Sequence, residues 1–218
     1  MVFVPMPLQA GDRKILRVGS VLHSPPYVFQ AEKTGIELEK ISKIFAGLGF
    51  EIEWVFLPPK RIPISLEKKE IDVGLRMTDE SAGAFHYSQP YLVMNNIAVV
   101  TDTEISLKSI EDLARFNVVA FHRARDHLGP AYREATSKSR IYLELAEQKR
   151  QLDILFRRDS QVIVLDEKIF EYVHKLYYPD RSYKVYRIFK GNKIRAAFLD
   201  RHLRDRFDSY LTRHLLVP

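Results

Sequence analysis

The chain has 218 residues, 46% hydrophobic and 28% charged, with 34 basic against 28 acidic side chains and no cysteine. That length suits one large α/β domain or two lobes of roughly 100 residues each. The composition excludes a disordered chain, the shortness of every apolar run excludes a membrane-spanning helix, and the missing cysteines exclude disulfide scaffolds, thiol catalysis and Cys-ligated metal sites. The formal charge of +6 is concentrated at one end, since from Arg187 onward eight basic residues face three acidic ones, a local excess of +5. Most of these interleave with an apolar helical stripe and read as a solvated helix face, so no nucleic-acid partner is expected. The opening MVFVPMPLQAGDRK has no basic n-region and does not read as a signal peptide.

In chain order, Leu16 and Val18 mark a short strand ending at Gly19-Ser20, followed by the loop HSPPYVF. Gly35 opens a helix in which Leu38, Ile41, Phe45 and Leu48 recur at three- and four-residue spacing, with Gly47 and Gly49 as its stop. In EIEWVF, Ile52, Trp54 and Phe56 alternate with Glu51 and Glu53, which predicts a half-exposed strand. Pro58 and Pro59 break the chain, a short helix runs through Leu66, and IDVGL reads as a buried strand. ISLKSIEDLARF predicts a surface helix or turn before the strand VVAF at 118–121. A helix containing Tyr132, a polar connection and the run QLDILF lead to the strand VIVL at 162–165 and a helix from about Glu167 to Leu176. YKVYRIF and IRAAF are strand-like. Asp200 is a natural N-cap for a last helix, in which Leu203, Phe207, Leu211 and Leu215 fall four apart.

The order of GIEL (35–38), LGFEIEW (48–54), PPKR (58–61), LEKKEIDVG (66–74), TDE (78–80) and YSQPY (87–91) resembles the first lobe of the type II extracytoplasmic solute-binding proteins. Those are the polar-amino-acid-binding components of ABC transporters. DL at 112–113 and RRDSQVIVLDE at 157–167 are similar to second-lobe segments of the same family. PPKR and AAFLD resemble a short subgroup of it. The resemblance spans residues 15 to 211 and implies a two-lobed α/β fold of the type II periplasmic-binding-protein kind. Each lobe would be a mainly parallel sheet flanked by helices. Crossover strands near Ala98–Thr101 and Tyr183–Arg187 would make lobe 1 from 1–99 plus 186–218 and lobe 2 from 100–185. It further implies a monomeric periplasmic protein whose lobes close over a small polar solute, carboxylate-bearing and amino-acid-like, for an ABC permease or a membrane sensor.

Such a binder needs an aromatic wall, a cation for a carboxylate and an anion for an ammonium. Tyr27, in the loop after the first strand, takes the place of the family's aromatic wall, or else packs its loop. The family's arginine, three residues after the threonine at Thr78, is here Ser81. Arg76, just past IDVGL, is the alternative fork for a carboxylate, or else a surface arginine at a strand end. Arg61 of PPKR stands at a helix start, where an anion is favoured, or pairs within its lobe. The family's Gly-Thr pair beneath the ligand carboxylate aligns with Ala124-Arg125, so that Arg123 and Arg125 add positive charge there, or else form a solvated basic loop. Asp166 ends VIVL where the family meets the ligand's ammonium, and it can also cap the following helix. Glu37 resembles the acid at the head of the first helix, in a supporting role.

Enzyme readings find less support in the residues. His122 and His127 are five apart, not the i,i+4 of a metal pair, and no nucleophile elbow, Walker loop or dinucleotide fingerprint is present. No cofactor or metal is expected. Catalysis on the same fold, related to a dehydratase or to lytic transglycosylases, and a ligand-free sensor domain are the alternatives.

Overall fold

The apolar alternation of KILRVGSV becomes β1 (Lys14–Val21), the first strand in a computed structural model that describes residues 14–77, 84–157 and 159–214. It is followed by α1 (Ile36–Gly47), β2 (Phe50–Leu57), α2 (Arg61–Glu67), β3 (Val73–Met77), β4 (His86–Tyr87) and β5 (Leu92–Met94). β1 pairs in parallel with β2 along its whole length and with β3 at Val18 and Gly19. The stripe expected on α1 is buried at Leu38, Ile41 and Phe45, joined by Ile44. Gly35, at φ +119°, makes the sharp entry into α1: a Cβ there would stand 2.4 Å from the Tyr27 carbonyl oxygen, so no other residue fits without displacement.

The middle of the chain forms a second sheet of its own. Its elements are β6 (Asn96–Val100), a 3₁₀ turn (Ile110–Arg115), β7 (Val118–Phe121), α3 (Ala124–His127), α4 (Gly129–Ser137), β8 (Tyr142–Leu145), α5 (Gln148–Arg157), β9 (Val162–Asp166), α6 (Glu167–Tyr177) and β10 (Lys184–Tyr186). The strand order is β10-β6-β9-β7-β8, parallel between β7 and its neighbours β8 and β9, antiparallel where β6 meets β9 and β10. Val118, Ala120, Val162 and Val164 bury one face with Tyr132, while Ile163, Leu165, Leu152, Leu155 and Phe170 fill the other. A strand apolar on both faces is what a sheet covered by helices requires, and VIVL meets that requirement. The run QLDILF lies in α5, and RIYLEL, to which no element was assigned from sequence, contains β8.

The chain then returns as β11 (Asn192–Phe198) and α7 (Arg201–His214). β11 pairs antiparallel with β3 and β4, and the first sheet runs β2-β1-β3-β11-β4, with β5 also on β11. Both sheets therefore join three parallel strands on one side to antiparallel strands on the other. Leu203, Phe207 and Leu211 are buried along α7, and the Phe207 ring meets Phe45 and Phe198 at 5.5 and 5.3 Å; Leu215 lies outside the described residues. Asp200 caps α7 through Oδ1, which accepts from the His202 and Leu203 amides.

Two compact units result, 1–92 with 194–218 and 93–193. β6 and β10, placed near the crossings by the sequence, are both strands of the second sheet, because Ala98 finds its partners there in Val164 and Tyr186. No helix among the described residues is long and apolar enough to cross a membrane.

Candidate functional site

In open α/β sheets, ligand-handling side chains collect beyond the carboxyl ends of the parallel strands. In the first unit that edge holds Arg76, near the end of β3, in the left-handed region at φ +52°. Its Nε donates to Glu37 Oε2 at 2.7 Å, its Nη2 stands 2.7 Å from the same oxygen, and its Nη1 donates to Ser24 Oγ at 3.3 Å. Glu37 is wholly buried in the first turn of α1. Its other oxygen accepts from the Tyr91 hydroxyl, whose oxygen accepts from the Arg76 amide at 3.2 Å. The Arg76 guanidinium lies 5.6 Å from the centre of the Tyr27 ring, and Tyr27 is 2% exposed. Burial alone would lower the Arg76 pKa, but Glu37 beside it outweighs that and holds it above its ordinary value. Burial and the neighbouring Glu37 keep the Tyr91 hydroxyl protonated well past its usual range. The structure thus brings Tyr27 and Arg76 together with Glu37, Ser24 and Tyr91 in one connected cluster.

In the second unit the turn between β7 and α3 is the counterpart. Arg123 sits at φ +62°, a left-handed residue directly before α3. β8 lies parallel to β7 with Glu144 opposite Ala120, one rung before the strand ends, so its side chain reaches the turn. Glu144 Oε2 accepts from the Arg123 amide at 2.7 Å and Oε1 from the Arg125 amide at 3.1 Å. Tyr142, on the same face two residues earlier, donates from its hydroxyl to Oε1 at 2.7 Å. Partial burial works against the charged form of Glu144, but the Tyr142 hydroxyl and the two amides overcome it and hold the pKa below the ordinary glutamate value. The Arg125 guanidinium stacks 3.9 Å from the Tyr142 ring centre and donates to Thr136 Oγ1 and to its carbonyl oxygen. The Arg123 side chain pairs with Asp126 at 2.8 Å.

Asp166 ends β9 at 5% exposure, and its Oδ1 accepts from the Lys168 and Ile169 amides at the start of α6. Arg61 is exposed at the first residue of α2. Thr78 and Ser81 lie outside the described residues. Sequence reasoning did not single out Ser24, Tyr91, Tyr142 or Glu144. The period-two alternation of YLEL was the available signal for the last two, since it puts Tyr142 and Glu144 on one face. Two surface depressions of about 370 and 520 Å³ run along α7, lined by Arg206, Asp208 and Arg213 among others. They include none of the expected site residues. Among the described residues, no group of three or more His, Asp or Glu side chains is placed to hold a metal ion.

Two α/β units, each with candidate polar residues at the carboxyl ends of its central strands, define the type II periplasmic-binding class. The chain belongs to the bacterial extracellular solute-binding proteins, family 3, whose pattern matches residues 16–209. It is 23% identical over 114 residues to a probable amino-acid-binding protein, YxeM of Bacillus subtilis; the match covers 50% of this chain and 43% of that one, so less than half of the relative's length is represented. Among solved structures, an ancestral arginine-binding protein bound to arginine superposes with a TM-score of 0.68 at 20% identity, covering 92% of each chain. The ancestral amino-acid-binding protein AncCDT-1, a precursor of cyclohexadienyl dehydratase, gives a TM-score of 0.68 at 20% identity, covering 92% of this chain and 89% of that one. At such identities the structural likeness establishes the fold.

Proposed function

We propose that the chain captures a small polar, amino-acid-like solute outside the cytoplasm, in the periplasm, as the binding component for an ABC permease or a membrane sensor. The observation that carries this reading is the family match over residues 16–209, in a chain whose relatives include a probable amino-acid-binding protein. The placement of Asp166 supports it, because a carboxylate at the carboxyl end of β9 suits a solute's ammonium group. Tyr27, Arg61, Arg76, Thr78, Arg123 and Arg125 complete the proposed site, with Arg76 and Tyr27 shaping it from within the first unit. The role is binding without turnover, by a single chain.

A thermal-shift screen over amino acids, amino-acid amides and small carboxylates tests the reading. A solute that binds only the folded protein raises its stability by RT ln(1 + [L]/Kd), about 2.7 kcal/mol at a hundredfold excess over Kd. At least one amine-bearing solute should raise the midpoint and be recovered unchanged after incubation. No shift across the panel would remove solute capture, and conversion of the stabilising compound would make the protein an enzyme.

A further inference from the structure

Both places where the sequence led one to expect a solute's carboxylate already hold a carboxylate of the chain itself. Glu37 stands on Arg76, and Glu144 takes the Arg123 and Arg125 amides. Of the other expected cations, Arg123 is paired with Asp126 and Arg125 is engaged by Thr136 and the Tyr142 ring. Arg61 is exposed, and an exposed cation contributes little to holding an anion in water. The β7–α3 turn is built for a carboxylate, since one is bound there at 2.7 and 3.1 Å, but Glu144 is tethered by β8 pairing and fixed by the Tyr142 hydroxyl. A second carboxylate would have to displace it from both amides and remain beside it as a like charge, a juxtaposition that works against binding.

We propose that Glu144 is a specificity residue that excludes free carboxylates from the β7–α3 turn, so that the solute is a polar amine whose carboxyl group is masked or missing. The proposal rests on the solute-binding reading and names the solute class for it. It assigns Tyr142 a positioning role, since its hydroxyl holds Glu144 Oε1 against the Arg125 amide.

Backbone amide resonances of Arg123 and Arg125 in the full chain report on the turn directly, with acetate as the probe. In the wild type both should stay unmoved by excess acetate, whereas in Glu144→Ala both should shift saturably. Saturable shifts in the wild type, or none in the variant, overturn the proposal. Calorimetry then compares L-arginine with L-argininamide and L-glutamine with L-glutaminamide. The amide should bind more tightly to the wild type, and Glu144→Ala should move the ratio of dissociation constants toward the free acid by about tenfold or more, given the cost of a like charge. Glu144→Gln keeps an acceptor on the turn and should move the ratio in the same direction by less. Preference of the wild type for the free acids, or a ratio unmoved in both variants, overturns the proposal. If neither amines nor acids bind, it is solute capture that fails, and the acetate titration still decides the role of Glu144.

Discussion

Arg76, near the end of β3 in the first unit, and Arg123, just past β7 in the second, are both in the left-handed region, and each place is served by a glutamate. Such a conformation costs a non-glycine residue on the order of 1–3 kcal/mol, so each place needs compensation from its surroundings. The compensation differs in kind. Glu37 is wholly buried and neutralises a guanidinium, whereas Glu144 is half-buried and satisfies main-chain amides. A buried cation cannot be left without its counter-charge. An amide near the surface can turn to water once its side-chain acceptor is deleted, so only the second carboxylate can be removed without unfolding its surroundings.

The largest effect should come from breaking the buried pair. Glu37→Gln leaves Arg76 charged and uncompensated, and should cost about 3–5 kcal/mol in the denaturant-unfolding free energy. The double variant Glu37→Leu/Arg76→Met should lose much less than the sum of the single variants, because it removes both charges together. A cost for Glu37→Gln below about 1 kcal/mol would put the pair on the level of a surface ion pair and erase the contrast.

Gly35→Ala should come next, at about 1–3 kcal/mol by thermal unfolding, from the positive φ and the 2.4 Å approach to the Tyr27 oxygen. The Glu37 amide donates to that same oxygen at 3.1 Å, so this change also shifts the buried carboxylate. No counterpart glycine places Glu144, whose position follows from strand pairing. An unaffected stability would show that the α1 entry can move without cost.

Glu144→Gln should have the smallest effect, about 1 kcal/mol at neutral pH after allowance for its partial exposure. Because the folded-state pKa of Glu144 lies below the ordinary glutamate value of 4.5, its contribution is fully present above that value and fades as pH falls through the folded pKa. The stability difference between wild type and variant should therefore be flat toward neutrality and shrink only below pH 4.5. A difference that grew on acidification would mean that the turn favours the protonated acid.

The helix caps and apolar strands were legible in the sequence because they depend on neighbours a few residues away. Asp166 and Asp200 reach amides two and three positions on, and the α7 stripe repeats every four residues. The order of these segments along residues 15 to 211 likewise carried the family resemblance, which the match over 16–209 establishes. The partners of the expected site arginines were not legible. Arg76 meets a glutamate 39 positions earlier, and the amides of Arg123 and Arg125 meet one 21 and 19 positions later.

What the sequence by itself determined is most of the elements, their order and the kinds of charge available near the strand ends, since propensity, periodicity and capping act over a single turn or strand. Which charges remain available for a solute was decided only by the tertiary structure. The pairing of β8 with β7, and the contact of Glu37 in the first turn of α1 with Arg76 of β3, bring a carboxylate of the chain to two of the expected anion positions, and no local pattern records a contact made through another element.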